Sequence, residues 1–370
     1  MKTTRDDQTI SGPSSTESSS LVRLASPLEQ GRAAWKREHV AVVLGVHVLA
    51  MLALVPWLFS WTGVAVGFAG IFCFGTLGIN IGYHRLLTHR SFKCAKWLEY
   101  TFALLGVCCL QGATIRWVAM HRMHHQFSDK EEDPHSPLVS FLWAHLEWML
   151  TEQKNRSWLV TYDKYAPDLI RDYFYLALDR KGTWFFVWAA HTVMFFVAGF
   201  GVGTLALGGS LVGGLQFGSS LLVWGAIVRT VAVWHITWSV NSLSHVSGYR
   251  SYETADQSRN NWFVSLISMG EGWHNNHHAE PNSAAAGHRW WEIDPAFSVI
   301  RALSLVGLVQ DIVPVRGHIP RVQAKPVERL LAIIDTDGNR KEVRFDEATP
   351  DDHSRSLPTD DQDSSNSRAA

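Results

Sequence analysis

The chain has 370 residues, enough for one large domain or two small ones. Its 33 Lys and Arg are balanced by 34 Asp and Glu, and a net charge of −1 excludes a nucleic-acid binder that works through bulk positive charge. The four cysteines form no CxxC pair, so we expect reduced thiols and no disulfide framework.

Both ends of the chain are polar. Residues 1–30 and 346–370 are rich in Ser and charge, and we expect both to be disordered. No apolar core precedes about residue 39, which argues against a secretory signal. The sequence therefore predicts a disordered tail at 1–30, a membrane domain at 31–312, and an extension at 313–370 that is largely disordered at its end. Within the extension, DTDGN at residue 335 has its glycine in the wrong place for an EF-hand and predicts a turn.

Two long runs without Lys, Arg, Asp or Glu dominate the middle of the chain. The first extends from His39 to His84 and the second from Gly182 to Val228. One crossing of the hydrocarbon takes roughly 20 residues, so each run fits two crossings. The predicted turns are the segment 56–61, with its Pro and two Trp, and the Gly-rich segment 207–210. The predicted spans are about 39–59, 61–82, 183–205 and 211–235, since two such runs are hard to bury in one soluble core.

Basic residues flank the two hairpins and are absent from their turns. They are Arg32, Lys36, Arg37, Arg85, Arg90, Lys93, Lys96, Arg180 and Lys181. By the positive-inside tendency, both termini and the middle of the chain are predicted to be cytoplasmic. The apolar segment from Tyr100 to Ile115 is short for a crossing, and we expect it to be interfacial or packed against the other helices.

Half of the 18 histidines fall into clusters at the predicted cytoplasmic ends of the spans. They are His84 and His89 in HRLLTH, His121, His124 and His125 in HRMHH, His245 in NSLSH, and His274, His277 and His278 in HNNHH. In HxxHH the histidines share one helix face. A spacing of five leaves His84 and His89 about 140° apart on an ideal α-helix, so that pair is expected to straddle a helix end or a bulge.

Neutral imidazole is the commonest metal ligand, and nine histidines exceed what one ion can use. Two ions are therefore predicted. The pattern lacks the carboxylates of a ferritin-like di-iron centre and the HExxH of a zinc hydrolase. A metal transporter is the remote alternative, but it would place ionisable groups near mid-membrane. The other nine histidines, such as His47, His191 and His235, are isolated in the sequence and are not expected to have a role.

The motifs GYHRLLTHRSF, WVAMHRMHHQFSDKEEDPHSP and GEGWHNNHHAEPNSA resemble those of the membrane fatty acid desaturases, over roughly residues 40 to 312. The chain is most similar to the branch that places the first double bond between carbons nine and ten of a saturated chain. The Asn-x-x-x-His motif of that branch matches Asn241 and His245. Membrane hydroxylases with three histidine boxes are the alternative, and this motif and the FSDKEEDPHSP flank favour the desaturases.

The resemblance implies an all-α membrane fold, with four spans capped by a cytoplasmic helical domain that holds two iron ions (Fe²⁺). The implied ligands are the nine clustered histidines, with Asn241 binding through water. Asp133 and Glu271 are candidates to orient imidazoles. The implied reaction uses O2 to insert a cis double bond at about carbon 9 of saturated chains of about 16 to 18 carbons held in a narrow tunnel, whose geometry sets the position.

The partners are also implied by the resemblance. Residues 313–370 are too short for a fused haem domain, so an external donor is expected, either a ferredoxin or a small cytochrome with its reductase. The charges of residues 152–181 are nearly balanced, so they do not indicate whether the substrate is acyl-CoA or an acyl-lipid, that is, an intact membrane lipid. The resemblance to the family favours acyl-CoA. HNNHH followed by PNS is more similar to bacterial members, which predicts a bacterial cytoplasmic membrane.

Overall fold

A computed structural model describes residues 23–154, 156–205 and 210–317, and the backbone of 328–334 and 340–346. Most of both predicted tails, the Gly-rich turn at 207–209 and the turn predicted at 335 lie outside these residues. The chain divides into two units, Met1–Arg321 and Val322–Ala370.

The first unit is built almost entirely from helices. In chain order these are α1 (Arg37–Ala50), α2 (Trp61–Gly70), α3 (Lys96–Val107), α4 (Thr114–Phe127), α5 (Trp148–Leu150), α6 (Trp158–Tyr165), α7 (Tyr173–Asp179), α8 (Thr183–Leu205), α9 (Leu211–Leu221), α10 (Arg229–Val246), α11 (Trp262–Ile267), α12 (His274–Ala279) and α13 (Pro295–Leu305). Wider π-type segments occupy Ile71–Thr88, Trp143–Glu147 and Leu222–Val228, and 3₁₀ turns occupy Met51–Leu54, Pro56–Leu58 and Arg180–Gly182.

Strands are few and short. In the first unit β1 (Ala33–Trp35) pairs with β3 (Thr151–Gln153), and β2 (Lys93–Cys94) pairs with β4 (Val309–Gln310). In the second unit β5 (Glu328–Ile334) pairs antiparallel with β6 (Arg340–Asp346), from Glu328↔Asp346 to Ile334↔Arg340. These strand pairs are additions that the helical pattern did not predict.

Four helical segments are long and apolar enough to cross a membrane, which confirms the predicted all-α membrane fold with four candidate spans; the third is kinked at Lys181, whose φ is 54°. They are Arg37–Leu54, Trp61–Thr88, Tyr173–Leu205 and Leu211–Val246. The first turn lies where it was predicted: Ser60 caps α2 by accepting a hydrogen bond from the Gly63 amide at 2.9 Å. The second and fourth segments continue beyond the predicted ends at residues 82 and 235. His84 and His245 therefore lie on the same helical segments as the spans.

The segment that was too short to cross ends inside the protein. The carbonyls that follow α3 are bonded by the fourth span, since Arg229 Nη1 donates to Cys108 O at 2.8 Å and Trp234 Nε1 donates to Cys109 O at 2.8 Å. Backbone that is not helical survives at membrane depth only where protein supplies such partners. The chain therefore turns back into α4, which keeps the histidine motifs before and after this segment on one side.

Candidate metal centre

All nine clustered histidines converge, and they form two groups. The five-histidine group contains His84, His89, His121, His125 and His277; the four-histidine group contains His124, His245, His274 and His278. Within each group, one ring nitrogen from each histidine lies within 4.8 Å of those from the others.

The helical spacing explains the division. On α4, His121 and His125 are four residues apart and belong to the five-histidine group, while His124 points into the other group. On α12, His277 joins the five-histidine group, and His274 and His278, again four apart, join the four-histidine group. Each of these two helices therefore supplies both groups and holds them side by side.

The remaining ligand candidates, His84, His89 and His245, lie at the ends of the second and fourth long helical segments. His84 lies in the π-type segment and His89 directly follows it, with the His89 amide donating to His84 O at 3.1 Å. This five-residue bond is the π-helical pattern, and it confirms that the pair straddles a helix end. His245 lies in the last turn of α10.

The spacing of the nitrogens fits metal binding. Nε2 of His277 is 3.1 Å from that of His84 and 3.0 Å from that of His125, and the Nε2 atoms of His245 and His274 are 3.1 Å apart. Imidazole nitrogens that bind one ion at about 2.1 Å have neighbours in the shell at about 3 Å. His89 Nε2 is buried with no hydrogen-bond partner among the described residues, as expected of a nitrogen reserved for an ion.

The protonation states suit the same purpose. Burial, followed by the neighbouring histidines, holds the pKa of His121, His124 and His125 well below the ordinary value. The same causes act on the pKa of His274 and His277. These imidazoles are therefore neutral and offer lone pairs, which is the form that binds a metal.

Both predicted orienting carboxylates contact ring nitrogens that face away from the groups. His84 Nδ1 donates to Glu271 at 2.6 Å, and His124 Nδ1 donates to Asp133 at 3.0 Å. Burial raises the pKa of Glu271, but Arg85 and His84 outweigh it and lower that pKa to about 2. Burial raises the pKa of Asp133 to about 7, against the opposing effect of the His135 and Asp129 amides that donate to its carboxylate.

Sequence reasoning missed two further carboxylates. His245 Nδ1 donates to Asp129 at 3.1 Å, and His278 Nδ1 donates to Asp256 at 2.7 Å. Asp129 stands in the same FSDKEEDPH flank as Asp133, so its position beside HRMHH was a usable signal. Asp256 lies in a loop, and no local pattern distinguishes it. Four of the nine imidazoles thus have a carboxylate behind them, the usual arrangement of metal-binding histidines.

Residues between the histidines act as supports. Arg85 donates to Glu271 at 2.8 Å, to Asp294 at 3.0 Å and to Ala284 O at 2.7 Å, which fixes the carboxylate that holds His84. Within HNNHH, the buried Asn275 and Asn276 bond neighbouring loops. Asn275 Oδ1 accepts the Ser251 amide at 2.7 Å.

A cavity of about 280 Å³ with several Trp residues in its lining extends to the histidines. His84, His121 and His274 lie on its wall together with Asn241. Much of the remaining lining is aromatic: Trp117, Trp148, Trp158, Tyr162, Trp184, Trp234 and Trp238. Asn241 lies one helical turn before His245 and beside the four-histidine group, and its binding through water stays a prediction.

His47, His191 and His235, which are isolated in the sequence, have side-chain partners in the structure. His47 Nε2 is 3.1 Å from His235 Nε2, and His235 Nδ1 is 3.1 Å from His145 Nε2. His191 Nε2 accepts from Arg229 at 2.6 Å. Isolation in sequence did not mean isolation in space, because these contacts join helices that are far apart along the chain.

Comparison with known proteins agrees with this site. Residues 56–307 match the family model described as fatty acid desaturase. The chain is 40% identical over 267 residues to an sn-1 stearoyl-lipid 9-desaturase of Synechocystis sp., covering 72% of this chain and 77% of that protein. It is 40% identical over 287 residues to an sn-2 palmitoyl-lipid 9-desaturase of Nostoc sp. (77% and 93% covered), and 38% identical over 281 residues to an acyl-CoA C20 Delta5-desaturase of Anemone leveillei (76% and 83% covered). The match to the family model and the extent of these identities show that the chain belongs to the fatty acid desaturase family.

Proposed function

We propose that this chain is a di-iron, O2-dependent desaturase that inserts a cis double bond at about carbon 9 of saturated acyl chains of about 16 to 18 carbons. The observation that carries the proposal is the division of nine histidines into groups of five and four beside an aromatic cavity. The five-histidine group and the four-histidine group would each hold one iron. The four-histidine group has one ligand fewer, and Asn241 is the nearby residue that could complete it through water.

The activities for which the relatives are named favour an acyl-lipid substrate over the acyl-CoA that the resemblance suggested. Two of the three relatives above are named for lipid-bound acyl chains and one for acyl-CoA. We therefore place acyl-lipid first, with acyl-CoA as the alternative carrier.

The iron pair would supply the O2 chemistry that removes one hydrogen from each of two adjacent carbons. The protein's own contribution is position. The walls of the cavity would hold the acyl chain beside His84, His121 and His274 and exclude water. Glu271, Asp133, Asp129 and Asp256 would keep the Nδ1 protons of their histidines in place, so that each Nε2 faces the metal.

Expression in a host that lacks its own desaturase tests the proposal. Monounsaturated chains should appear, with the double bond at carbon 9, and they should vanish without oxygen or in His245→Ala. Asn241→Ala should only weaken the activity. His47→Ala is the matched control for iron binding, since its ring contacts no member of either histidine group, and it should keep its iron.

Three outcomes would count against parts of the proposal. Hydroxylated products would indicate a hydroxylase instead. Purified protein that holds one zinc, unaffected by His124→Ala or His277→Ala, would exclude the di-iron site. Activity on acyl-CoA but not on lipid vesicles, with the same donor, would reverse the choice of carrier.

A further inference from the structure

The proposed reaction needs electrons from outside the chain, and this inference rests on that function. The balance is RCH2–CH2R + O2 + 2e⁻ + 2H⁺ → RCH=CHR + 2H2O. A carrier must therefore reach a point on the protein surface from which the histidine groups can be reduced.

One open depression on the surface has a strongly basic lining. It is formed by Thr88, His89, Arg90, Arg122, Lys164, Tyr165, Pro167, Asn282, Val313 and Arg316, and we call it the basic depression. Four of these residues are cationic and none is acidic. Two carboxylates lie next to it: Asp168 bonds Arg122 and Arg90, and Glu280 accepts the Arg316 amide. An excess of positive charge remains.

The floor of the basic depression is rigid and its rim is exposed. Arg122 donates to Leu87 O at 2.6 Å and to Tyr165 O at 2.9 Å, and forms two bonds to Asp168 at 2.7 and 3.0 Å. Lys164 and Arg316 are exposed. A fixed floor with exposed cations around it suits a reversible contact with an acidic protein surface.

The basic depression also opens directly onto the candidate metal centre. His89 is part of its wall and also belongs to the five-histidine group. The His89 ring lies 4.5 Å from that of His125 and 4.6 Å from that of His277, between centroids. A carrier bound here would be separated from the other members of the five-histidine group by the imidazole of His89 alone.

The route is separate from the acyl cavity. The basic depression and the aromatic cavity share no lining residue, and they meet the histidines through different members. A carrier and an acyl substrate could therefore be bound at the same time, as a reaction that consumes both requires.

We propose that the basic depression is the docking site of an acidic one-electron carrier protein and that electrons enter through His89. The test uses full-length, iron-loaded enzyme in vesicles and a reduced acidic [2Fe–2S] ferredoxin, whose anaerobic oxidation is followed by stopped-flow absorbance. The variant is Lys164→Glu/Arg316→Glu. The control is Lys130→Glu/Arg301→Glu, which makes the same charge change at two exposed sites outside the basic depression.

The second-order rate for the variant should fall about tenfold or more at low ionic strength, and the difference should shrink as salt is added. The control should keep the rate of the unmodified protein. Equal rates for variant and control would overturn the proposal. An unchanged ferredoxin rate together with lost binding of the variant to vesicles of anionic lipid would also overturn it, because the basic depression would then bind the membrane. Failure of the anaerobically reduced, unmodified protein to desaturate its acyl substrate when O2 is then admitted would instead contradict the proposed function, and the ferredoxin measurement would still decide the docking question.

Discussion

Asp129 joins three parts of the candidate metal centre. It follows α4, accepts from His245 Nδ1 of α10, and accepts the Gln257 amide at 2.6 Å. Burial raises its pKa, but the bonds from His245 and Gln257 outweigh burial and lower the pKa, so the side chain is a carboxylate. Its φ of +60° lies in the left-handed region, which Asp and Asn tolerate better than most residues.

We predict that Asp129→Asn weakens iron binding by about tenfold to a hundredfold, the usual cost of losing a carboxylate behind a histidine. Asn keeps the size of the side chain and tolerates the backbone conformation, so the change isolates the negative charge. A chelator-competition titration of purified protein would measure it, with loss of the more weakly held iron and a matching fall in turnover. Asp163→Asn, at an exposed residue, is the control, and equal iron affinity in both variants would contradict a positioning role for Asp129.

At the residue scale, local spacing in the sequence was informative and long-range contacts were not accessible to it. The spacing in HRMHH and HNNHH predicted shared faces because the helix period is local. It could not predict that Asp256 lies behind His278, or that Arg85 holds Glu271, because the partners are brought together by the fold and no local period records them.

Among the helices, the contact between α3 and the π-type segment Ile71–Thr88 supports the histidines. Gly78 and Gly106 allow the two backbones to approach, and the ring of Tyr83 lies against Gly106. Tyr83 is fully buried and its hydroxyl bonds Thr114 at 2.9 Å, at the start of α4. One close helix contact thus connects the element of His84 with the element of His121.

We predict that Gly78→Ala destabilises the protein. A Cβ at Gly78 would lie 2.8 Å from Gly106 Cα, closer than real contacts allow, and overpacking of this kind costs about 1–3 kcal/mol. The melting temperature in detergent should fall by roughly 2–4 °C for each kcal/mol. Gly45→Ala is the control, because a Cβ there meets nothing within 4 Å. A Gly78→Ala protein that melts with the control would show that the two helices can separate without loss.

Four candidate spans were predictable because hydrocarbon demands an unbroken apolar run. Their far ends were not. His84 and Arg85 look like the polar end of a span, yet both side chains are buried. Both bond Glu271, which lies nearly 190 residues further along the chain. Composition indicates where lipid must be, and long-range contacts decide where a helix stops.

At the scale of the whole molecule, the histidines come from four separate segments that meet at one end of the spans. Box residues at the end of the second span, on α4 and on α12 meet His245 at the end of the fourth. Segments that meet on one side of a membrane must be separated by an even number of crossings. The chain turns back between α3 and α4, so it adds no crossing between His89 and His121. The side of the membrane that this end faces follows from the charges that flank the spans.

Orientation is therefore the last prediction: the histidine end, and both termini, should face the cytoplasm, because the basic residues flank this end and are absent from the opposite turns. Single cysteines at the exposed Lys130 and Ser210 would test it with a maleimide that does not cross membranes. In intact cells Ser210→Cys should react and Lys130→Cys should react only after lysis, against a background measured without an added cysteine. Labelling of Lys130→Cys in intact cells would place the histidines outside, where no cytoplasmic electron carrier could dock at the basic depression.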